Sequence, residues 1–423
     1  MSTVSVEKRG WADRLTDLME KMAPIFDEEH LASVRDGLAG LMSLLIVGAF
    51  SLLFLQFPIP SWLAYLDANP DLSAKLWVPF NMAYGLLSVF AAITVAYHLA
   101  RRKGLDPLMP AALSLLAFIT IASPIVGAWG EKGLPGTYFN NEGLFTAIIV
   151  ALLTVEVYNF FVKRNLVIKM PAGVPPSIAN SFVALIPTVV VFVVAWLVRV
   201  VLGIDFAHGV VVVLSHIVPA ASSYVACAIA ETLHACLWTL GIHGDLTIGI
   251  VLSPIWTSNL AANAQALAAG KPLPWIYTDM FRSYVVPGGS GATLPLAFYL
   301  LRSKSARLRQ VGRLGIIPGL FNINEPITFG TPVIFNPVMA IPFIAITFIN
   351  ATVAYAAHVL HLVRATAIPA PWTLPGPILM YLATGYDWRA AVLVTFTEFI
   401  IPGVIWYPFF KAWEAQVLKK EQG

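Results

Sequence analysis

The polar residues best suited to chemistry lie in one short stretch of the second half of the chain. Asn322, Asn324 and Glu325 fall within residues 321–330, FNINEPITFG. Two amides beside a carboxylate offer directed donors and acceptors to a polyhydroxyl compound, and a carboxylate can also take the proton of a hydroxyl that is being phosphorylated. Proton coupling is the competing functional role for Glu325. An ordinary surface loop is the structural alternative.

A second stretch, residues 240–245 with the sequence LGIHGD, contains His243. A histidine between glycines is sterically open, and its imidazole can donate to or accept from a sugar hydroxyl near neutral pH. Asp245 either joins the same site or caps the helix that follows. We therefore predict that His243 and Glu325 act in one substrate-binding site, with Glu325 as the candidate catalytic carboxylate.

Four further residues are candidates for substrate contacts. Asn259 precedes Asn263 by one helical turn, so both share a face that either lines a cavity or bonds neighbouring helices. Trp256 either stacks on a sugar face or packs in the interior. Asn140 and Glu142 precede an apolar run, where they either reach over the substrate or form an ordinary extracellular turn.

Other kinds of site are not indicated by the sequence. The glycine-rich residues 288–293, GGSGAT, favour close helix packing over a phosphate cradle, because no Walker lysine follows them. Cys227 and Cys236 show no metal spacing or disulfide framework and are interpreted as structural. We predict no metal, no cofactor and no nucleic-acid partner.

The composition indicates what must position these residues. The chain is 58% hydrophobic and 12% charged, about half the charge of a soluble domain. At roughly 20 residues per span, the 423 residues accommodate about ten membrane crossings. The sequence predicts an all-α integral membrane protein of about ten transmembrane helices, with re-entrant hairpins and interfacial amphipathic helices.

Apolar runs and helix breakers predict where these elements lie. The predicted spans of the first part cover residues 37–57, 79–99, 107–128, 143–162, 182–202 and part of 210–240. Those of the second part are a crossing by 243–268, interrupted by helix breakers, a broken span at 281–301, a re-entrant hairpin at 311–335 and spans at 337–362 and 388–410. Pro176 is expected to open a short interfacial helix.

Breaks in this pattern divide the chain into three parts. Residues 1–35 form a cytoplasmic amphipathic segment, residues 36–205 a scaffold of ordinary spans, and residues 206–423 a substrate-handling unit with broken helices. Lysines and arginines cluster in the amino-terminal segment and after the second and fourth spans. Because positive charge favours the cytoplasmic side, we expect both termini to be cytoplasmic.

Four motifs, taken together, resemble a known family. They are LGIHG at 240–244, PIW with NL at 254–260, GGSGATL at 288–294 and PGLFNINEPITFGTP at 318–332. Over nearly its whole length the chain resembles the IIC membrane component of bacterial sugar phosphotransferase systems, in the lactose/cellobiose/diacetylchitobiose branch. The NINEPI motif is the most specific part of this resemblance.

The resemblance implies a permease in the bacterial cytoplasmic membrane. It implies a homodimer with a scaffold first half and a mobile second half. It also implies a β-linked disaccharide held between two hairpins by His243 and Glu325 and phosphorylated, usually at its 6-hydroxyl, on the cytoplasmic side. The donor would be a phosphocysteine of the partner protein IIB. Because neither Cys227 nor Cys236 matches that nucleophile, a separate IIB is expected.

Two other functions stay open at this point. A proton-coupled secondary transporter would use Glu325 as its proton carrier, and its uptake would collapse with the proton gradient. A membrane sugar sensor would bind the sugar without accumulating it. A membrane enzyme with its own active site is not supported, since the sequence shows no nucleophile, metal set or nucleotide fingerprint.

Overall fold

The fold is known from a computed structural model, in which every regular element of the described residues is helical. The described residues are 28–123, 136–171, 173–331, 333–334 and 336–422. The predicted all-α class is confirmed. Most of the predicted amphipathic segment, up to residue 27, lies outside the described residues, and the first helix already begins at Glu29.

Eighteen α-helices, numbered in chain order, occupy these residues, besides one short 3-10 helix and two π-helical turns. The first seven are α1 Glu29–Leu55, α2 Pro60–Ala68, α3 Pro70–Gly85, α4 Leu87–Arg102, α5 Leu108–Ala122, α6 Leu144–Lys163 and α7 Pro176–Trp196. The others are α8 Phe206–Ala221, α9 Tyr224–Thr239, α10 Gly244–Ala268, α11 Arg282–Val285, α12 Leu294–Leu301, α13 Ala306–Leu320, α14 Glu325–Gly330, α15 Pro337–Val359, α16 Gly376–Ala383, α17 Trp388–Thr395 and α18 Ile401–Gln422.

The helices are long and apolar enough for a membrane protein. Among the described residues, five helical stretches could cross a bilayer by length and composition, or up to seven if two bent pairs each make one span. The bent pairs are α3 with α4, at 44°, and α8 with α9, at 67°. A multi-pass helical membrane fold follows, while the count of about ten crossings stays a prediction.

Helix α7 differs from the prediction at its start. It runs without interruption from Pro176 and ends in a π-helical turn, Leu197–Val201. Proline in the first helical turn costs no hydrogen bond, because that amide has no intrahelical partner. The short interfacial helix expected at Pro176 is therefore part of a single long helix.

Helix α10 corrects a second expectation. The density of glycine, proline and amide residues predicts an interrupted crossing at 243–268, yet residues 244–268 form one continuous helix that contains Pro254. A proline removes one backbone hydrogen bond and bends a helix. In a membrane protein, neighbouring helices and side chains can satisfy the freed carbonyl.

The described residues bury three apolar cores. The largest joins α1 and α3 to α7, and Ala261 and Ala264 near the end of α10 also belong to it. The other two lie among the helices after α8. Helix α10 thus packs at one end against the first half and at the other within the second half. The hydroxyl of Tyr386 adds a tie by donating to the Leu53 carbonyl at 2.8 Å.

Candidate functional site

His243 is placed by the turn between α9 and α10. Gly241 adopts φ +80° just after α9, a conformation that glycine tolerates and that ends the helix. His243 then caps α10, because its Nδ1 accepts the Leu246 amide at 3.4 Å. The ring is exposed and lies 4.5 Å from the Trp238 ring. Since Nδ1 faces the helix, Nε2 is left for a ligand.

Gly244 fixes this turn against α9. A Cβ on Gly244 would lie 2.3 Å from the His234 carbonyl oxygen. No other residue permits so close an approach of the two helices. The next residue, Asp245, does not cap α10; its carboxylate accepts from the Arg282 guanidinium at 2.7 Å. The capping alternative for Asp245 is therefore wrong, because His243 takes that position.

A buried ion network surrounds Asp245. Arg282 donates to Glu231 at 2.8 Å and to Asp245 at 2.7 Å. The Glu231 side chain is 0% exposed and also accepts the Tyr277 hydroxyl at 2.7 Å. His234 completes the network within 3.4 Å of Asp245. Each charge has an opposite partner, which is the condition under which buried ions are tolerated.

Apart from Asp245, the residues of this network are not among the predicted site residues. Glu231 lies in the apolar run YVACAIAETLHACLW and Arg282 follows YTDMF. A charge inside a membrane segment marks a functional or structural site by default, and that signal could have identified both. The pairing itself joins residues far apart in sequence, which no local pattern reveals.

Asn322 fixes the tip of the segment that carries Glu325. It adopts φ +64°, where asparagine is tolerated. Its Oδ1 accepts the Gly288 amide at 2.8 Å, and its Nδ2 donates to the carbonyls of Trp372 at 2.7 Å and Leu374 at 2.8 Å. The amide thus holds three loops together. Trp372, whose backbone carbonyl it binds, is 57% exposed.

Asn324 fixes the other side of the same tip. It is 4% exposed, and its Nδ2 donates to the Ser290 carbonyl at 2.6 Å and to Thr293 at 2.9 Å. Gly289 makes room for it, since a Cβ there would lie 2.3 Å from the Asn324 Cγ. Ser290 also donates to Asp245 at 3.3 Å. Through Ser290, the Glu325 segment is connected to the His243 turn.

Glu325 is the uncommitted residue of this region. It begins α14 and is exposed, and its carboxylate has no hydrogen-bond partner among the described residues. The side-chain amides of Asn322 and Asn324, in contrast, form hydrogen bonds with the backbone and with Thr293. The structure therefore brings His243 and Glu325 onto linked segments as open groups, while the two asparagines hold those segments in place.

Trp256 lies on α10 beneath this region rather than on its surface. It is 2% exposed, and the Arg282 guanidinium covers its ring at 4.7 Å from the centroid. The Tyr277 ring packs against it at 5.6 Å. A cation over the face of tryptophan stabilises the pair. The arrangement corresponds to the packing interpretation of Trp256.

Asn259, Asn140 and Glu142 lie far from His243. Asn259 is sixteen residues after His243 on one helix, so at ~1.5 Å per residue they are roughly 24 Å apart along its axis. Asn259 and Glu142 line a separate cavity of about 280 Å³. Asn140 supports it by accepting the Glu142 amide at 2.9 Å.

One group of metal-type ligands occurs among the described residues, at the edge of the first half. Glu29, His30 and Glu156 approach one another closely enough to hold an ion. The ammonium of Lys103 already pairs with Glu29 and, at 2.6 Å, with Glu156. A lysine there supplies the positive charge, and the cluster ties α1, α4 and α6 together.

Comparison with known proteins gives a consistent result. A family model described as "Phosphotransferase system, EIIC" matches residues 35–347. The lichenan permease IIC component of Bacillus subtilis (strain 168) is 37% identical over 96% of this chain and 94% of its own. The cellobiose-specific EIIC component of the PTS system of Geobacillus stearothermophilus is 37% identical over 97% of this chain and 95% of its own.

A solved structure shares the fold. It is the crystal structure of the transporter ChbC, the IIC component from the N,N'-diacetylchitobiose-specific phosphotransferase system. The TM-score is 0.88, with 33% identity over 97% of this chain and 98% of that one.

Proposed function

The chain belongs to the EIIC family of the phosphotransferase system, and from that premise we propose that it is a permease for a β-linked disaccharide. The sugar would be of the cellobiose or diacetylchitobiose type, which the names of two similar proteins specify for themselves. The chain would hold the sugar while a phosphorylated IIB protein transfers its phosphoryl group to a sugar hydroxyl.

The observation that carries this proposal is that His243 and Glu325, on two linked segments, both keep free hydrogen-bonding atoms. The Glu325 carboxylate has no hydrogen-bond partner among the described residues, and the His243 ring uses only Nδ1 within the protein. A carboxylate accepts from sugar hydroxyls, and an imidazole donates or accepts. Asn322 holds the backbone carbonyl of the exposed residue Trp372, whose indole would offer an apolar surface on which a sugar ring could stack.

Glu325 has a defined role in such a transfer. The attacking hydroxyl must lose its proton as its oxygen bonds to phosphorus and the bond from phosphorus to the cysteine sulfur of IIB breaks. A carboxylate within hydrogen-bond reach of that hydroxyl accepts the proton. His243 would orient the same ring. Asn322 and Asn324 would position Glu325 by holding the tip of its segment. Contact with the sugar stays a prediction for the other candidate residues, Trp256, Asn259, Asn140 and Glu142.

We also propose the assembly and orientation implied by the family. Basic residues lie at the carboxyl ends of α4 and α6 and from the end of α12 into α13, which supports cytoplasmic termini by the positive-inside rule. Helix α7 is the most open of the candidate spans, because only 22% of its apolar 18-residue stretch is buried inside the protein. That open apolar face supports contact with lipid or with a second copy in a homodimer. Residues 36–205 would form the fixed scaffold, and residues 206–423 would move the sugar.

The test is phosphorylation by the reconstituted system. Purified protein in vesicles would be given IIB, the general phosphotransferase proteins, phosphoenolpyruvate and radiolabelled cellobiose or diacetylchitobiose. We expect phosphorylated disaccharide inside vesicles whose cytoplasmic face receives IIB. Accumulation of unmodified sugar that depends on a proton gradient would support the secondary transporter instead, and binding without either would support the sensor.

A further inference from the structure

The cavity at the far end of α10 has features of a binding site that the function above does not use. We infer that it is an outer subsite for one pyranose ring of the disaccharide, separate from the His243–Glu325 site. This inference rests on the proposed function, because the sugar is the ligand of both sites. It concerns the capture of the sugar rather than its phosphorylation.

Three parts of the chain form this cavity, and they come from both halves of the protein. The turn that leads into α6 supplies one wall, α8 the second, and α10 with Trp275 the third. The volume of about 280 Å³ lies just below the roughly 300–1,000 Å³ of pockets that hold drug-sized ligands. It therefore suits a single sugar ring better than a whole disaccharide.

The cavity wall carries two amide side chains whose oxygens are unpaired. Asn141 and Asn259 both line the cavity, one from each half of the chain. The Oδ1 atoms of both are buried and have no hydrogen-bond partner. Leaving a buried acceptor without a donor costs about 1–3 kcal/mol. Both oxygens are closed to solvent, so a sugar hydroxyl reaches them only when the side chains turn toward the cavity, and a ligand that brings hydroxyl donors would then relieve that cost.

The hydrogen bonds of Asn259 fix the orientation of its side-chain amide. Its Nδ2 donates to the Ser222 hydroxyl at 2.8 Å and to the Tyr277 carbonyl at 3.0 Å. A carbonyl oxygen only accepts, so the nitrogen must face it and the oxygen must face away. The unpaired acceptor is therefore a property of the fold.

The remaining lining favours a sugar ring over a bare cation. The Glu142 carboxylate, which is exposed, adds acceptor oxygens, and Ser258 adds a hydroxyl. Most of the other wall is apolar, from α8, Phe145 and the Trp275 indole. A cation needs several oxygens at about 2.3–2.6 Å from one point and gains nothing from apolar walls. A pyranose ring presents both hydroxyl donors and apolar C–H faces.

The position of the cavity gives the subsite its role. It lies about 24 Å along α10 from His243 (at ~1.5 Å per residue), farther than a disaccharide reaches. In the proposed orientation the turn before α6 is extracellular. The outer subsite would therefore meet the incoming sugar before the His243–Glu325 site does.

The first test separates the two sites by direct binding. In purified His243→Ala/Glu325→Gln protein, we expect saturation-transfer NMR to detect residual weak binding of cellobiose. Adding Ser215→Cys places a thiol in the cavity lining, and a bulky maleimide attached there should lower the transfer at least roughly fivefold. Comparing the same sample before and after labelling removes folding as an explanation. Cys236→Ser prevents background labelling.

The matched control is Val213→Cys on the same helix. Val213 is 59% exposed and does not line the cavity. Its label should leave the saturation transfer unchanged. If the His243→Ala/Glu325→Gln protein shows no transfer, or if the two labels act alike, the subsite is overturned.

The second test keeps His243 and Glu325 intact. Labelled Ser215→Cys protein should raise the KM for cellobiose uptake into right-side-out vesicles about tenfold or more. Phosphorylation of cellobiose offered from the cytoplasmic face should stay unchanged. Equal loss of both activities would overturn the subsite. If the unlabelled protein phosphorylates no sugar at all, the proposed function itself fails, and the subsite loses its basis with it.

Discussion

The buried network around Arg282 and the open pair His243 and Glu325 lie on neighbouring segments but treat their charges in opposite ways. In the network, Glu231 and Asp245 each pair with Arg282 within 2.8 Å. In the open pair, the Glu325 carboxylate has no hydrogen-bond partner in the described part of the chain. The difference fits the proposal that the first region uses charge to hold its shape and the second keeps charge for the sugar.

The largest effect is expected from breaking the network. Arg282→Met leaves Glu231 and Asp245 without their cation, and removal of one partner of a buried pair destabilises by about 3–5 kcal/mol. We expect a clear fall in the thermal unfolding temperature in detergent. Arg282→Lys keeps the charge but loses the two-armed geometry, so its loss should be smaller. An unchanged melting temperature for Arg282→Met would remove the structural role of the network.

A smaller loss is expected at the tip of the Glu325 segment. Asn324→Ala leaves the buried Ser290 carbonyl and the Thr293 hydroxyl without their donor, at a cost of about 1–3 kcal/mol. Sugar affinity should fall with stability, because the tip positions Glu325. If stability falls while affinity is retained, Asn324 does not position the site.

Glu325 should show the reverse pattern. Glu325→Gln removes a charge that no described residue pairs with, so the free energy of unfolding should change by no more than about 0.5 kcal/mol. Hydrogen bonds to a charged group contribute about 1.5–3 kcal/mol, so cellobiose affinity should fall roughly 10- to 100-fold. Titration calorimetry and thermal unfolding on one preparation would measure both. Unaltered affinity would remove Glu325 from the site.

His243 allows its two roles to be separated. Asparagine is a good helix cap, so His243→Asn should keep stability within about 0.5 kcal/mol, whereas His243→Ala should lose about 1 kcal/mol. Both variants lack the imidazole and should bind cellobiose equally weakly. Full binding by His243→Asn would mean that only the cap matters.

The smallest effect is expected in the half-exposed ion cluster at the edge of the first half. Glu156→Gln weakens the contacts with Lys103 and His30, and pairs near water contribute about 1 kcal/mol or less. The small loss should shrink further in high salt, because salt screens exposed charges. A loss as large as that of Arg282→Met would show that burial does not explain the difference between the two clusters.

The parts of the site that could be predicted are those that a local pattern specifies. Glycines around His243 and prolines around Glu325 predict open, irregular segments, and both residues are indeed exposed. The roles of Asn322, Asn324 and Trp256 depend on contacts with Gly288, Ser290 and Arg282, which are distant from them in sequence. The same limit explains α10, where neighbouring helices tolerate a proline that locally predicts a break.

The three hydrogen bonds of Asn322 have a mechanical consequence. They join the tip of the Glu325 segment to the loops at Gly288 and at Trp372 and Leu374. If the second half shifts across the membrane during transport, these three loops would travel as a single body, and the backbone at Trp372 would keep its distance from the Glu325 segment. The sugar would then keep the same contacts while it is carried.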